Sequence, residues 1–372
     1  MPLKIFLTSD VHLGMKFAGY PEVQSQLSEA RFITLENLIK RANDEKCHLF
    51  AVAGDLFDRI SVAKRDVIRA AQILSEFQGS LVAVLPGNHD FISSGQSDLW
   101  THFKENAGDN VLVLQDRETK PLQHYDLDVH LYPAPCDAKH SGKNYVSWIK
   151  DEPKDKGVKF HIGIAHGSLE GFSPDFDKRY YPMTLSELNS CGLDLWLMGH
   201  THIQYPAKPG ALDNIFYPAT PEPDGFDCTH KGRAWIIELD ENSKIHPVCI
   251  STGKYRFLRD EAELTAASDM EMLSAKYSSQ ALLNVLLKLK ITGRIPDETY
   301  KDLPRIKERM ERQFLYLQLN SSEVTEEITL DTINREFTQD SFPHQLLITL
   351  ARDKKDHEAL QIAYDLMREV RR

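Results

Sequence analysis

No stretch of the sequence approaches the ~20 consecutive apolar residues that a membrane-spanning helix needs, so no such span is expected. Low-complexity tracts and internal repeats are missing as well, which argues against a solenoid or a disordered tether. The opening Met1-Pro2-Leu3-Lys4-Ile5-Phe6-Leu7 has neither the apolar run nor the cleavage site of a secretory leader and reads as a strand. A soluble, cytoplasmic protein is the expectation. The five cysteines, Cys47, Cys136, Cys191, Cys228 and Cys249, form no Cys-x-x-Cys pair. That excludes a zinc knuckle or a redox dithiol and leaves reduced, mostly buried thiols. Positive charge is not in excess either. The formal net charge is −11, the wrong sign for a chain that holds a polyanion by its overall field. Carboxylates that sit on metal ions would invert that field locally, and one basic surface is enough to hold a polyanion.

At 372 residues the chain can bury one sizeable core and carry a smaller second unit. Short apolar runs at Lys4–Thr8, Leu49–Ala53, Leu81–Leu85, Val111–Leu114, Val129–Tyr132, Phe160–Ala165, Leu193–Met198, Ile215–Tyr217 and Ala234–Leu239 read as strands. Spacings of three and four mark helices at Gln26–Glu45, Ala63–Phe77 and Leu185–Ser190. This alternation predicts an α/β layered domain over residues 1–250. Beyond it, Ser268–Leu289 is helical in pattern, Leu286–Thr292 reads as a strand, and Gly293 to Pro296 as a break. A charged helix at Asp297–Gln313 and a strand at Phe314–Asn320 complete a small α+β unit over 251–325. Residues 326–372 are expected to be helical, at Asp331–Phe337 and from Pro343 to about Arg371, with an interruption near Arg352–Asp356.

The informative side chains follow the C-terminal ends of predicted strands, the edge where layered α/β proteins bind ligands. Asp10 and His12 follow the first strand and Asp55 the second. Asn88, His89 and Asp90 follow the third, His166 follows a later one, and His200 and His202 follow the next. Any one of these motifs is ordinary turn chemistry. Turn chemistry alone does not explain why every loop on one edge ends in Asp, Asn or His. Nor does it explain the glycines before Asp55, Asn88 and His200, which let backbone pass close to a packed site. Carboxylate, imidazole and amide donors without thiolate suit manganese, iron or zinc. The donors are too many for one ion. Two ions ~3.5–4 Å apart, sharing a carboxylate, could hold the nucleophile and the phosphoryl oxygens of an in-line displacement.

The series Asp10-x-His12, Gly54-Asp55-x-x-Asp58, Gly87-Asn88-His89-Asp90, His166 and Gly199-His200-x-His202 resembles the calcineurin-like metallophosphoesterases. That resemblance implies a layered β-sandwich flanked by helices, with a small α+β cap domain and C-terminal helices added here. It implies two divalent metal ions, manganese foremost, one on Asp10, His12, Asp55 and His202. The other would rest on Asp55, Asn88, His166 and His200, with Asp55 bridging. His89 would act at the scissile phosphate rather than as a ligand. Asp90 would either orient His89 or stabilise its own turn.

His12-Leu13-Gly14, Gly54-Asp55-Leu56-Phe57-Asp58-Arg59, His166-Gly167-Ser168 and Tyr217-Pro218-Ala219-Thr220-Pro221-Glu222 resemble the SbcD-type DNA repair nucleases, the shorter YhaO-like branch included. The resemblance implies a DNA exonuclease with some endonuclease activity. It also implies an SbcC-like coiled-coil ATPase as partner and a homodimer. A phosphodiesterase acting on a small diester is the alternative. Phe17 and Tyr20 could stack on a base, although packing is their commoner use, and His230 reads as an ordinary surface histidine. The basic residues of the Asp297–Gln313 helix suit phosphates or intrahelical ion pairs equally. The apolar positions of the last helices, among them Phe342 and Leu366, suit a partner or the chain's own cap.

Overall fold

Strands that are apolar at every position must be covered on both faces, and two sheets of such strands form the centre of the protein. The computed structural model describes residues 2–92, 99–210, 213–278, 282–352 and 357–370. It divides into two compact units, Met1–Leu258 with Asn284–Leu286, and Arg259–Leu283 with Leu287–Arg372.

The first unit opens with β1 (Leu3–Thr8), α1 (Gln24–Asp44), β2 (Leu49–Ala53), α2 (Lys64–Ser75), β3 (Leu81–Leu85), α3 (Leu99–Asn106) and β4 (Val111–Val113). It continues with β5 (Lys120–Pro121), β6 (Val129–Ala134), α4 (Ser147–Lys150), β7 (Phe160–His166), α5 (Leu185–Ser190), β8 (Leu195–Gly199) and β9 (Ile215–Phe216). β10 (Arg233–Leu239) and β11 (Ile245–Ser251) close it. One sheet has the order β11-β10-β1-β2-β3-β4, the other β5-β6-β7-β8-β9. Within them β1 to β4 run parallel, as do β6 to β9. Loops after parallel strands therefore collect at one edge of each sheet.

The two-residue period of a strand decides what each face meets. Phe6, Phe50, Val52, Val82 and Val84 pack with Phe32, Leu35, Leu38, Val67 and Leu74 of α1 and α2. Ile5, Leu7, Ala51, Leu81 and Leu85 instead join Leu131, Ile162, Ile164, Leu195 and Leu197 of the second sheet. On the far face of that sheet, Tyr132, Trp196 and Met198 cluster with Ile149 of α4 and Leu188 of α5. The result is an α/β sandwich of four layers, helices outside and sheets within. Burying each such side chain contributes roughly 1.5–3 kcal/mol, so the core holds the loop edges with many small increments. α5 starts where Thr184 and Glu187 form a reciprocal capping box.

The second unit contains most of β12 (Arg256–Leu264) and of β13 (Leu282–Ile295), with α6 (Ala267–Ser278), α7 (Asp297–Glu311) and β14 (Phe314–Glu326), the strands forming one sheet in the order β12-β13-β14. Its last elements are α8 (Leu330–Glu336), α9 (Phe342–Arg352) and α10 (His357–Val370). Ile333, Phe337, Leu347, Leu360 and Tyr364 pack together among these helices, whereas Phe342, Ile362, Leu366 and Val370 are exposed. The apolar periodicity thus packs these helices on one another and leaves those four side chains exposed. On α7, Lys301 pairs with Asp297 and Arg312 with Glu308, so intrahelical ion pairing is established for those two residues.

Several elements differ from the sequence reading. The helix expected over Ser268–Leu289 ends at Ser278, and a strand starts at Leu282. Its apolar run fits a strand as well as a helix. Gly293 is not a break but lies inside β13 at φ +117°, where a Cβ would fall 2.0 Å from the Leu264 carbonyl oxygen. β11 was missed because Pro247 interrupts it, and an edge strand tolerates proline. β12 was missed because charged residues fill it, and α3 because it is short. The expected interruption near Arg352–Asp356 falls mostly outside the described residues.

Candidate metal centre

β1 and β2 run side by side, and the chain keeps pairing beyond them. The Asp10 amide donates to the Gly54 carbonyl at 3.0 Å and the His12 amide to the Asp55 carbonyl at 3.0 Å. The two loops thus leave the sheet edge as one ribbon. Across from them, His166 at the end of β7 is in register with Gly199 at the end of β8. Asp10, His12 and Asp55 adopt φ of +54°, +49° and +53°, and His200 of +102°, a region that non-glycine residues rarely occupy. Strain of this kind persists only where surrounding structure enforces it, and it gathers at functional sites.

The glycines have the role their positions suggested. A Cβ on Gly54 would lie 2.0 Å from His166 Nδ1, one on Gly87 2.2 Å from Asp55 Oδ1, and one on Gly199 1.9 Å from the Ala53 carbonyl oxygen.

With the backbone so placed, the donor atoms form two overlapping groups. In the first, His12 Nε2 lies 3.2 Å from His202 Nε2 and 3.8 Å from Asp55 Oδ2, and His202 Nε2 lies 3.5 Å from Asp10 Oδ1. In the second, His166 Nε2 is 3.2 Å from Asp55 Oδ2, and Asn88 Oδ1 is 3.0 Å from both His166 Nε2 and His200 Nδ1. Asp55 belongs to both. Its Oδ1 accepts from the His89 amide at 2.8 Å, which turns Oδ2 to the histidines. All but His200 and His202 among these donors are buried.

The next layer of residues sets the histidine tautomers. His166 Nδ1 donates to the Ala53 carbonyl at 2.9 Å, leaving Nε2 for the centre. His202 Nδ1 donates to the Asp224 carboxylate at 2.8 Å, leaving its Nε2 free in the same way. Ser9 Oγ and the His200 amide donate to Asp10. A fully buried arginine, Arg31, donates from Nη1 to the Val11 carbonyl at 2.6 Å, between two of the candidate ligands.

These donors fit cations. The two imidazole nitrogens 3.2 Å apart need a proton or a metal ion between them to lie so close. The protonation of the group has the same cause. Burial opposes charge on His202, yet Asp10 and Asp224 outweigh it and push its pKa up to about 10. His166 is likewise raised to about 9 against burial, by Asp55. Burial lowers His12 to about 4. The cluster therefore favours positive charge among its carboxylates, which metal ions would supply. Asp10, His12, Asp55 and His202 would hold one ion, and Asp55, Asn88, His166 and His200 the other.

His89 stands beside this centre with its ring 4.8 Å from that of His12, and a nitrogen close to ligand atoms of His12 and Asp55. Its Nδ1 donates to the Asp58 carbonyl at 2.9 Å. Asp90 is therefore not the group that orients it. The Asp90 carboxylate accepts from the Gly87 amide at 2.7 Å and the Phe57 amide at 2.9 Å, and so stabilises the turn. Burial and the nearby Asp55 raise its pKa to about 7.

Asp224 is the site residue that sequence reasoning missed, because Pro223-Asp224-Gly225 reads as a plain turn. His230 is no surface bystander either, since its Nε2 meets the His202 carbonyl at 3.1 Å. Phe17 is buried under the Arg31 guanidinium, and Tyr20 packs on Phe257. Packing accounts for both aromatics.

A sandwich of two mainly parallel sheets, with buried carboxylate, imidazole and amide donors gathered at the strand ends, defines a metal-binding α/β protein. Residues 3–204 match the family model of the calcineurin-like phosphoesterases, and the chain belongs to that family. It is 27% identical over 204 residues to the uncharacterized metallophosphoesterase YhaO of Bacillus subtilis, covering 52% of this chain and 47% of that protein. The chain thus spans about half the length of that relative. It is 24% identical over 386 residues to the DNA double-strand break repair protein Mre11 of Methanopyrus kandleri, covering 98% of this chain and 82% of that one. Among solved structures it resembles the calcineurin-like phosphoesterase YfkN of Bacillus subtilis. There the TM-score is 0.41 at 13% identity, over 68% of this chain and 91% of that one.

Proposed function

We propose that the protein is a two-metal DNA nuclease of the SbcD type, hydrolysing phosphodiester bonds in repair or recombination. The observation that carries this reading is the pair of donor groups sharing Asp55, with His89 at their edge against His12 and Asp55. The similarity to a DNA double-strand break repair protein over nearly the whole chain supports the choice of substrate.

Bound there, two divalent ions, manganese foremost, would polarise a phosphoryl oxygen and provide a nucleophile at neutral pH. The residues of this chain supply the rest. Asp55 joins the two halves of the site at one carboxylate. His89, with Nδ1 committed to the Asp58 carbonyl, has Nε2 left to give a proton to the departing sugar oxygen. The exposed Phe342, Ile362, Leu366 and Val370 offer apolar contacts to a coiled-coil ATPase partner of the SbcC kind.

The test is incubation of the purified protein with manganese and labelled duplex or single-stranded DNA, alongside His89→Ala. Metal-dependent cleavage that the variant loses is the expected result. Intact DNA together with brisk hydrolysis of a small diester would replace this reading with a small-substrate phosphodiesterase.

A further inference from the structure

Arg31 stands where the period of α1 calls for an apolar side chain, four residues after Leu27 and four before Leu35, both of them buried. Its guanidinium is fully buried over the Phe17 ring and makes one hydrogen bond among the described residues, to the Val11 carbonyl. Nε and Nη2 find no partner there. Burying a charge in this way is costly unless other charges offset the loss of water. Burial pulls the Arg31 pKa down, and Asp224, then Glu222 and Asp58, act through space against it. An arginine keeps its proton in such surroundings.

Two of those carboxylates stand behind the two histidines of the first donor group. Asp224 accepts from His202 Nδ1. Asp58 Oδ1 lies 4.0 Å from His12 Nδ1, a buried atom with no hydrogen bond among the described residues. The third, Glu222, ties the loop that carries Asp224 to the same helix. It accepts from Thr34 Oγ1 at 2.6 Å, one turn along α1 from Arg31. In the same loop, Thr220 Oγ1 donates to the Asp10 carbonyl at 2.9 Å. Arg31 therefore sits where the Asp10–His12 turn and the 220–224 loop meet. The second donor group is supported otherwise. His166 rests on the neutral Ala53 carbonyl, and His200 lies against the Tyr180 ring with centroids 4.9 Å apart.

We propose that Arg31 is a positioning residue of the first metal site alone, pinning Asp10 and His12 through Val11 and holding Asp224 and Asp58 behind His202 and His12. The proposal rests on the two-metal reading and adds the residue that makes the two sites unequal. Two effects compete when Arg31 is removed. A guanidinium repels a nearby metal ion, so by charge alone its loss would tighten binding. Its loss also frees a turn on which Asp10 and His12 hold φ of +54° and +49°, a conformation that persists only under constraint. Both ligands of that turn and the carboxylate behind His202 lose their tether together, so weaker binding is the expected outcome.

Manganese titrated into the metal-free protein and followed by electron paramagnetic resonance tests this, because free ions, single bound ions and spin-coupled pairs give separate signals. Wild-type protein is expected to bind two ions and show the coupled signal. Arg31→Met, which keeps an unbranched side chain without the charge, should weaken one binding event ~10–100-fold, the range for residues that orient metal ligands. The other event should be unchanged, and the coupled signal should give way to that of a single ion. Arg31→Lys, which restores the cation, should recover part of the pair. In a His202→Ala background, Arg31→Met should leave the remaining event as it was, since that event belongs to the second site. Tighter binding, unchanged binding or equal weakening of both events would overturn the proposal.

Hydrogen exchange in excess EDTA reads the frame without metal. The Asp10 and His12 amides, bonded to the Gly54 and Asp55 carbonyls, should quicken in Arg31→Met by more than the amides of β7 that lead to His166. An equal rise in both segments would mean a general loosening of the fold and would also overturn the proposal. If wild-type protein binds no manganese while exchange quickens selectively at that turn, the metal reading fails and the positioning by Arg31 stands.

Discussion

The Asp224 carboxylate accepts a hydrogen bond from His202 Nδ1 at 2.8 Å, and His202 Nε2 is thereby directed at Asp10 and His12. Asp224→Ala would release the imidazole to rotate and to change tautomer. Partners of this kind typically affect metal affinity ~10–100-fold. Calorimetric titration of manganese into the metal-free variant should show one of two binding events weakened to that degree. Unchanged affinity for both would mean that His202 needs no such support.

Asp55 and His89 should separate cleanly. Asp55→Ala removes a carboxylate that belongs to both donor groups, so elemental analysis should find metal depleted along with activity. His89→Ala should keep its metal and lose turnover by ~10²–10⁴-fold, the usual range for a proton-transfer group. Equal metal loss in the two variants would make His89 a ligand.

Metal should also stabilise the fold, because the donors are crowded when unliganded. At a hundredfold excess over Kd, linkage adds ~2.7 kcal/mol per site. For a domain of this size each kcal/mol raises Tm by roughly 2–4 °C. Manganese is therefore expected to raise the melting temperature by several degrees, and EDTA to reverse the shift, as followed by circular dichroism.

Gly199→Ala places a Cβ 1.9 Å from the Ala53 carbonyl oxygen, and that carbonyl is the acceptor for His166 Nδ1. The backbone must shift, at a destabilisation of roughly 1–3 kcal/mol. Urea unfolding should show it, with metal affinity falling in the same variant because His166 loses its support.

Arg31 offers a test of the buried frame. Its guanidinium is fully buried with one bond, to the Val11 carbonyl, and faces Glu222, Asp224 and Asp58 through space. Arg31→Met removes a charged donor worth ~1.5–3 kcal/mol and leaves the Asp10–His12 turn unsupported. Urea midpoints should fall accordingly, while Arg31→Lys should recover part of the loss.

The layered fold was legible because its strands carry unbroken apolar runs. Phe50, Ala51 and Val52 advertise a strand whatever their neighbours do, and the 3.6-residue period of Leu27, Ala30, Leu35 and Leu38 advertises α1. Where local signals conflict, reading fails. Charged β12, Pro247 in β11 and the apolar start of β13 were each settled by their place in a sheet.

The candidate ligands were readable in order because each follows its strand directly, so residue type and position coincide along the chain. Their partners were not. Asp224 reaches His202, the Ala53 carbonyl reaches His166, the Asp58 carbonyl reaches His89, and Arg31 reaches Val11, each from a distant segment. A hydrogen bond between remote residues leaves no local periodicity or spacing to read. Sequence alone therefore specified which donor types gather at the strand ends. Only the packing of the two sheets decided which ring nitrogen faces the centre and that Asp90 stabilises a turn rather than orients His89.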